Sequence, residues 1–152
     1  MKPMSTVVLD ACVAAKTFIN ESDSPEAVKL ISACVKSKIQ ISAPDIFKYE
    51  ISQIAVKKDC VLDDILHLFE DAIFKLIDMQ DPNRFVWLQA EKICQHGHEK
   101  SGFPTMYDSV YHAMAIINDG VFITADKRHY EKAKSFGHIA MLDDWENVLD
   151  QL

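Results

Sequence analysis

Short apolar runs separated by helical segments constrain this chain most. Residues 7–9 (VVL) and 121–124 (VFIT) are almost wholly apolar and rich in β-branched side chains. Such runs are typical of strands that are covered on both faces, as in a parallel sheet. We predict strands at residues 5–9, 39–42, 74–79, 121–124 and 139–142. Helical segments separate these strands, so the pattern indicates right-handed crossovers and an α/β fold with helices on both faces of the sheet.

The helices are predicted from apolar residues at helical spacing and from capping residues. Ser24 and Thr105 are the predicted caps of two of them, and Pro25 suits a first helical position. The predicted helices cover residues 11–19, 25–36, 46–58, 63–73, 85–97, 106–115, 127–136 and 144–149.

Size and composition narrow the class of protein. A chain of 152 residues suits one domain spanning residues 1–152, and 49% apolar with 26% charged residues is typical of a soluble globular protein. No apolar run approaches the roughly 20 residues that span a bilayer, so we expect no membrane segment and a cytoplasmic location. The net charge of -7 opposes general attraction to nucleic acid. The four cysteines form no CxxC pair, which favours reduced thiols over a zinc or disulfide framework.

Four carboxylates occupy related positions in the predicted fold. Asp10 and Asp126 directly follow predicted strands, and Glu50 and Asp108 lie on predicted helices. Ligands of open parallel sheets bind outside the carboxyl ends of the strands, which is where these residues would meet. Glu50 has apolar residues four positions before and after it, so its carboxylate needs a partner, a proton or a metal ion.

Each acid also has a purely structural explanation. The aspartates can cap helices or favour a first helical turn, and Glu50 can lie on a solvated face if the helix phase is misjudged. These explanations do not account for four acids at one edge, because clustered carboxylates repel one another unless a cation lies among them. Oxygen ligands without His or Cys suit Mg²⁺ or Mn²⁺. Such a site fits phosphodiester hydrolysis, in which the ion activates water and stabilises charge on phosphate oxygens.

Four motifs in order carry a resemblance to a known family. VLDA at residues 8–11, APDIFKYEI at 43–51, YDSVY at 107–111 and ITADKR at 123–128 follow one another as in PIN-domain ribonucleases. The sequence most resembles the stand-alone VapC-like toxins, over residues 7–142. The resemblance implies a three-layer α/β/α sandwich with a five-stranded parallel sheet, a Mg²⁺ or Mn²⁺ site and endoribonuclease activity on RNA. It also implies a homodimer and inhibition by a cognate antitoxin.

The family's acidic site falls on Asp10, Glu50, Asp108 and Asp126 of this sequence. We expect Asp10, Asp108 and Asp126 to bind the metal, whereas Glu50 acts through water or orients the nucleophile. Thr124 matches a polar position beside the last acid. Cys12 departs from the usual Ser, Thr or Asn, and a thiol is a poorer hydrogen-bond partner for water.

Basic and aromatic residues near the acids leave alternatives open. Lys127 and Arg128 follow Asp126 and either steer RNA phosphates to the site or lie on a solvated helix face. The aromatic residues Phe47, Tyr49, Tyr107 and Tyr111 suit base stacking or a dimer interface, but core packing is the default for aromatic residues at helical spacing.

Two other functions compete with a nuclease. The first is a catalytically weak PIN domain that serves as a binding or assembly module, for which Cys12 and the net charge of -7 argue. The second is a receiver-like phosphoryl-transfer domain. It is disfavoured because no pair of acids follows the first strand.

Overall fold

One parallel sheet organises the chain. The computed structural model describes residues 5–71, 73–97, 99–100 and 102–152. Its strands pair in the order β3-β2-β1-β4-β5, and every pair is parallel. The strands are β1 (Thr6–Leu9), β2 (Gln40–Pro44), β3 (Ile77–Gln80), β4 (Val121–Thr124) and β5 (Ile139–Met141).

Helices flank this sheet and complete the predicted three-layer α/β/α sandwich, which is confirmed. Helix α6 packs over β1, β2 and β4 and is covered by α5, while α2 packs against β2. The helices are α1 (Ala11–Ala15), α2 (Ser24–Lys36), α3 (Phe47–Lys57), α4 (Leu62–Asp71), α5 (Arg84–Cys94), α6 (Met106–Ile117), α7 (Lys127–Ala133) and α8 (Trp145–Asp150). No helix in the described part of the chain is long and apolar enough to cross a bilayer.

Several element boundaries differ from the prediction, and two of these differences have identifiable reasons. Helix α1 ends at Ala15 rather than at residue 19, and the next side chain, Lys16, forms ion pairs with Glu21 and Asp23. Strand β3 is an edge strand whose pairing with β2 begins only at Ile77, so the preceding residues form a 3₁₀ turn instead of strand.

The predicted cap at Ser24 is also wrong. Its hydroxyl accepts a hydrogen bond from the Glu21 amide at 2.9 Å and donates one to the Ile19 carbonyl at 2.7 Å. Helix α2 therefore begins at Ser24 itself, and the preceding Asp23 makes no side-chain cap bond. Ser24 instead closes the loop between α1 and α2.

The central strands β1 and β4 are fully enclosed, so the position of the sheet edge at which they end is fixed. All four residues of β1 and of β4 are buried, as a strand covered on both faces requires. Gly120, just before β4, makes close contact with β1: a Cβ atom there would lie 2.3 Å from the Thr6 carbonyl oxygen. Only glycine fits that gap, so Gly120 allows β4 to begin directly beside β1.

Candidate active site at the carboxyl edge of the sheet

The structure brings all four predicted acids to one open cleft of about 700 Å³. Asp10 follows β1 and Asp126 follows β4, the neighbouring central strand. Glu50 lies in the first turn of α3, and Asp108 in the first turn of α6. The other residues that line the cleft are Ala11, Cys12, Ile46, Tyr49, Gln53, Ile54 and Tyr107.

Asp10 is the most buried of the four acids, with 7% of its surface exposed. Its Oδ2 accepts a hydrogen bond of 2.6 Å from the hydroxyl of Thr124, and its Oδ1 accepts one of 3.4 Å from the Cys12 amide. Burial raises the pKa of Asp10 to about 6, the hydroxyl of Thr124 opposes that rise, and the charge of Asp108 adds to it. The carboxylate is therefore held in place but poorly solvated.

Thr124 links two of the acids. While its hydroxyl donates to Asp10, the same oxygen accepts a hydrogen bond of 3.0 Å from the backbone amide of Asp126. The Thr124 side chain is fully buried at the end of β4. It thus orients Asp10 and the chain at Asp126 from beneath, and its hydroxyl does not face the open cleft.

Glu50 is held by Tyr111, a residue whose contact with this acid the sequence did not predict. The hydroxyl of Tyr111, on α6, donates a hydrogen bond of 2.9 Å to Glu50 Oε2 on α3. Burial raises the pKa of Glu50 to about 7, the Tyr111 hydroxyl lowers it, and the charges of Asp10 and Asp108 raise it. Tyr111 is fully buried and stacks on Phe122 at 5.6 Å, so its hydroxyl is fixed in direction.

Asp108 and Asp126 form the outer part of the acidic cluster. Thr105 caps α6 by accepting a hydrogen bond of 3.2 Å from the Asp108 amide, as predicted. Burial raises the pKa of Asp108, and the charge of Asp126 raises it further. Asp126 caps α7 through bonds of 3.0 Å and 3.3 Å from the amides of Arg128 and His129.

His129 is a residue near the acids that the sequence analysis did not identify. It is buried, and its Nδ1 lies 4.0 Å from Asp108 Oδ2. Burial lowers the pKa of His129 to about 4, so the ring is neutral near pH 7. Its position directly after the basic residues Lys127 and Arg128 offered no signal of burial, because burial depends on how α7 packs against β5.

The remaining predicted residues lie around this cluster. Lys127 and Arg128 are exposed in the first turn of α7 and are not among the cleft-lining side chains. Cys12 is half-buried in the cleft wall, where burial and then the charge of Asp10 raise the pKa of its thiol. The thiol therefore remains protonated at neutral pH.

The donor set fits a hard divalent cation. The hydrogen-bond partners of Asp10, Glu50 and Asp126 are hydroxyl groups and backbone amides. Neighbouring carboxylates contribute to the raised pKa values of Asp10, Glu50 and Asp108. Within the described residues, however, no three His, Cys, Asp or Glu side chains stand close enough to enclose an ion. An open arrangement of this kind suits Mg²⁺, which keeps several waters and uses one or two carboxylates.

Fold and cleft together define a PIN-like α/β domain, and solved structures of toxins share this fold. FitAcB from Neisseria gonorrhoeae matches with a TM-score of 0.68 and 14% identity, over 91% of this chain and 98% of that chain. A toxin-antitoxin complex from Klebsiella pneumoniae matches with a TM-score of 0.62 and 13% identity, over 90% and 97%.

A third match has a described activity. VapC20 from Mycobacterium tuberculosis, a sarcin-ricin loop cleaving toxin, matches with a TM-score of 0.62 and 10% identity, over 87% of this chain and 95% of that chain. The chain therefore has the fold of the VapC and FitB toxin structures. No family model matches the sequence, and no curated protein does.

Proposed function

We propose that this protein is a Mg²⁺- or Mn²⁺-dependent endoribonuclease and the toxin of a toxin-antitoxin pair. The observation that carries the proposal is the meeting of four carboxylates, from four separate elements, in one cleft. Burial raises the pKa of Asp10 to about 6 and that of Glu50 to about 7, and the charges of neighbouring acids add to both shifts. Similarity in fold to a sarcin-ricin loop cleaving toxin supports the choice of RNA.

In this proposal each acid has a distinct role. Asp10, Asp108 and Asp126 would hold the cation, one or two of them directly and the rest through water, and the cation would activate a water and stabilise charge on the phosphate oxygens. Glu50 orients the attacking water, directly or through a second water, and a pKa of about 7 before the cation binds makes it able to accept a proton. Thr124 fixes Asp10, and the Tyr111 hydroxyl fixes one oxygen of Glu50.

Cleavage of a single-stranded RNA over a Mn²⁺ titration tests this function. We expect Asp10→Asn and Asp108→Asn to abolish cleavage while circular dichroism shows them folded. Asp119→Asn is a matched control, because Asp119 is an exposed aspartate just beyond the other end of α6. Its φ of 52° suits asparagine equally well. Full cleavage by both cleft variants would refute the proposal.

The proposed partners are a cognate antitoxin and a second copy of the chain. Structural similarity to a toxin-antitoxin complex supports the first, and the resemblance to VapC-like toxins suggests the second. Expression of the chain with and without any small gene found next to its own tests for the antitoxin, and light scattering of the purified chain tests for the dimer. Growth arrest without the neighbouring gene, relief with it and a mass of two chains are the expected results.

A catalytically weak binding module remains the second candidate, because a protonated Cys12 thiol stands next to Asp10 in the cleft. Calorimetric titration with Mn²⁺ separates the two functions. Tight binding together with RNA turnover supports the nuclease. Binding of a partner protein by a chain that turns over no RNA at saturating Mn²⁺ supports the module.

A further inference from the structure

Two exposed tyrosines stand at the rim of the acidic cleft. Tyr49 has 79% of its surface exposed and Tyr107 63%, and both line the cleft. Each directly precedes one of the acids: Tyr49 precedes Glu50 on α3, and Tyr107 precedes Asp108 on α6. Consecutive helical residues point about 100° apart, so each helix turns an acid inward and an aromatic ring outward. The rings therefore belong to two different walls of the cleft.

The charge of the molecule limits how a nucleic acid can bind here. The net charge is -7, and the cleft itself is lined by four carboxylates. Such a surface gains little from phosphate contacts, which supply most of the affinity in basic nucleic-acid-binding proteins. Stacking of bases on aromatic rings needs no positive charge and accepts any base, because every base has a π-face.

We propose that Tyr49 and Tyr107 each stack one base of a single-stranded RNA, on either side of the phosphate that faces the acids. This inference rests on the proposed function for the location of that phosphate. A duplex keeps its bases stacked inside and cannot offer them to the rings. The tyrosines thus restrict the substrate to unpaired segments, such as loops and ends.

Fluorescence anisotropy with a labelled eight-nucleotide single-stranded RNA tests the proposal. The buffer contains Ca²⁺, an oxygen-ligated cation, and a gel checks that the RNA is intact after each titration. Tyr49→Leu and Tyr107→Leu should each weaken binding roughly 5- to 150-fold, the range for loss of one base–aromatic stack. Tyr49→Phe and Tyr107→Phe keep the ring and should bind within about twofold of wild type.

Two further arms make the test specific. Phe85→Leu removes an equally exposed aromatic ring (68% exposed) outside the cleft and should leave affinity unchanged. The same RNA annealed to its complement should bind wild type more weakly than the single strand does. This duplex should bind wild type and the leucine variants with equal affinity.

Several results would overturn the inference: no measurable binding by wild type, leucine variants within twofold of wild type, or phenylalanine variants as weak as leucine variants. These failures differ from failure of the nuclease. Leucine-sensitive binding without any cleavage would leave the stacking intact and reject the nuclease. Cleavage with leucine-insensitive affinity would do the reverse: it would keep the nuclease and reject the stacking.

Discussion

Asp10→Asn should make the protein more stable at neutral pH, although Asp10 is central to the site. The pKa of this buried carboxyl rises from 3.8 to about 6 on folding, which means that the folded state disfavours the charged form. At about 1.4 kcal/mol per tenfold change, the charged form destabilises the fold by about 3 kcal/mol. Asparagine carries no charge and removes this penalty.

Part of the gain is lost again. Asp10 uses one oxygen for Thr124 and the other for the Cys12 amide, whereas asparagine has a single oxygen to accept with. Losing the cap to Cys12 costs about 1 kcal/mol. The expected net effect is therefore a stabilisation of about 2 kcal/mol at pH 8.

The stability difference between Asp10→Asn and wild type should depend on pH. Because the folded pKa of Asp10 is raised, its contribution to stability is fully present below pH 3.8 and is lost as the pH rises through about 6. The advantage of the asparagine variant should therefore shrink between pH 7 and pH 4 and reverse near pH 4, where only the lost cap remains. Urea unfolding with EDTA over this pH range measures the difference between the two proteins.

Added Mn²⁺ should invert the order at pH 8. A cation that binds only the folded wild type adds about 2.7 kcal/mol at a hundredfold excess over its Kd. The control Asp119→Asn, on the exposed surface, should change stability by less than about 0.5 kcal/mol at every pH. If Asp10→Asn is less stable than wild type at pH 8 in EDTA, burial and repulsion do not make the charged Asp10 carboxylate destabilising.

Three further substitutions test the contacts around the site. Thr124→Val removes the donor to Asp10, so unfolding free energy at pH 8 should fall by about 1.5–3 kcal/mol; a loss below 0.5 kcal/mol would contradict the contact. Tyr111→Phe removes the donor to Glu50 and should lower the unfolding free energy by a similar amount at pH 8 but by less at pH 5, where Glu50 is protonated. An equal loss at both pH values would contradict this contact. Urea unfolding measures the Thr124→Val and Tyr111→Phe variants. Gly120→Ala forces a Cβ atom against the Thr6 carbonyl and should lower the thermal midpoint, by a free energy of about 1–3 kcal/mol, without changing cleavage per folded molecule. An unchanged midpoint would mean that the two strands start further apart.

Three of the four acids could be placed from the sequence because each follows a strong local signal. Asp10 and Asp126 come directly after fully apolar strands, and parallel strands end at a common edge. Asp108 sits three residues after a capping threonine, which placed it in a first helical turn. The sheet and its edge therefore followed from periodicity and from residues near each other in the chain.

The contacts that orient the acids lie beyond such signals. Tyr111 and Glu50 are 61 residues apart in the sequence. Their hydrogen bond depends on the packing of α6 against β2, the strand that precedes α3. The early end of α1 likewise depends on the ion pairs that Lys16 forms with Glu21 and Asp23. The start of β3 depends on the register of an edge strand. These features come from tertiary packing, which neither propensity nor spacing encodes.

The bond between Asp10 and Thr124 joins residues 114 positions apart. On a ribosome, Asp10 emerges long before β4 exists, so a growing polypeptide has no partner for that carboxylate and no neighbouring Asp126. Fragments released before β4 is translated carry an unassembled cleft. The four-acid cleft can therefore assemble only after nearly the whole of the described fold has been synthesised.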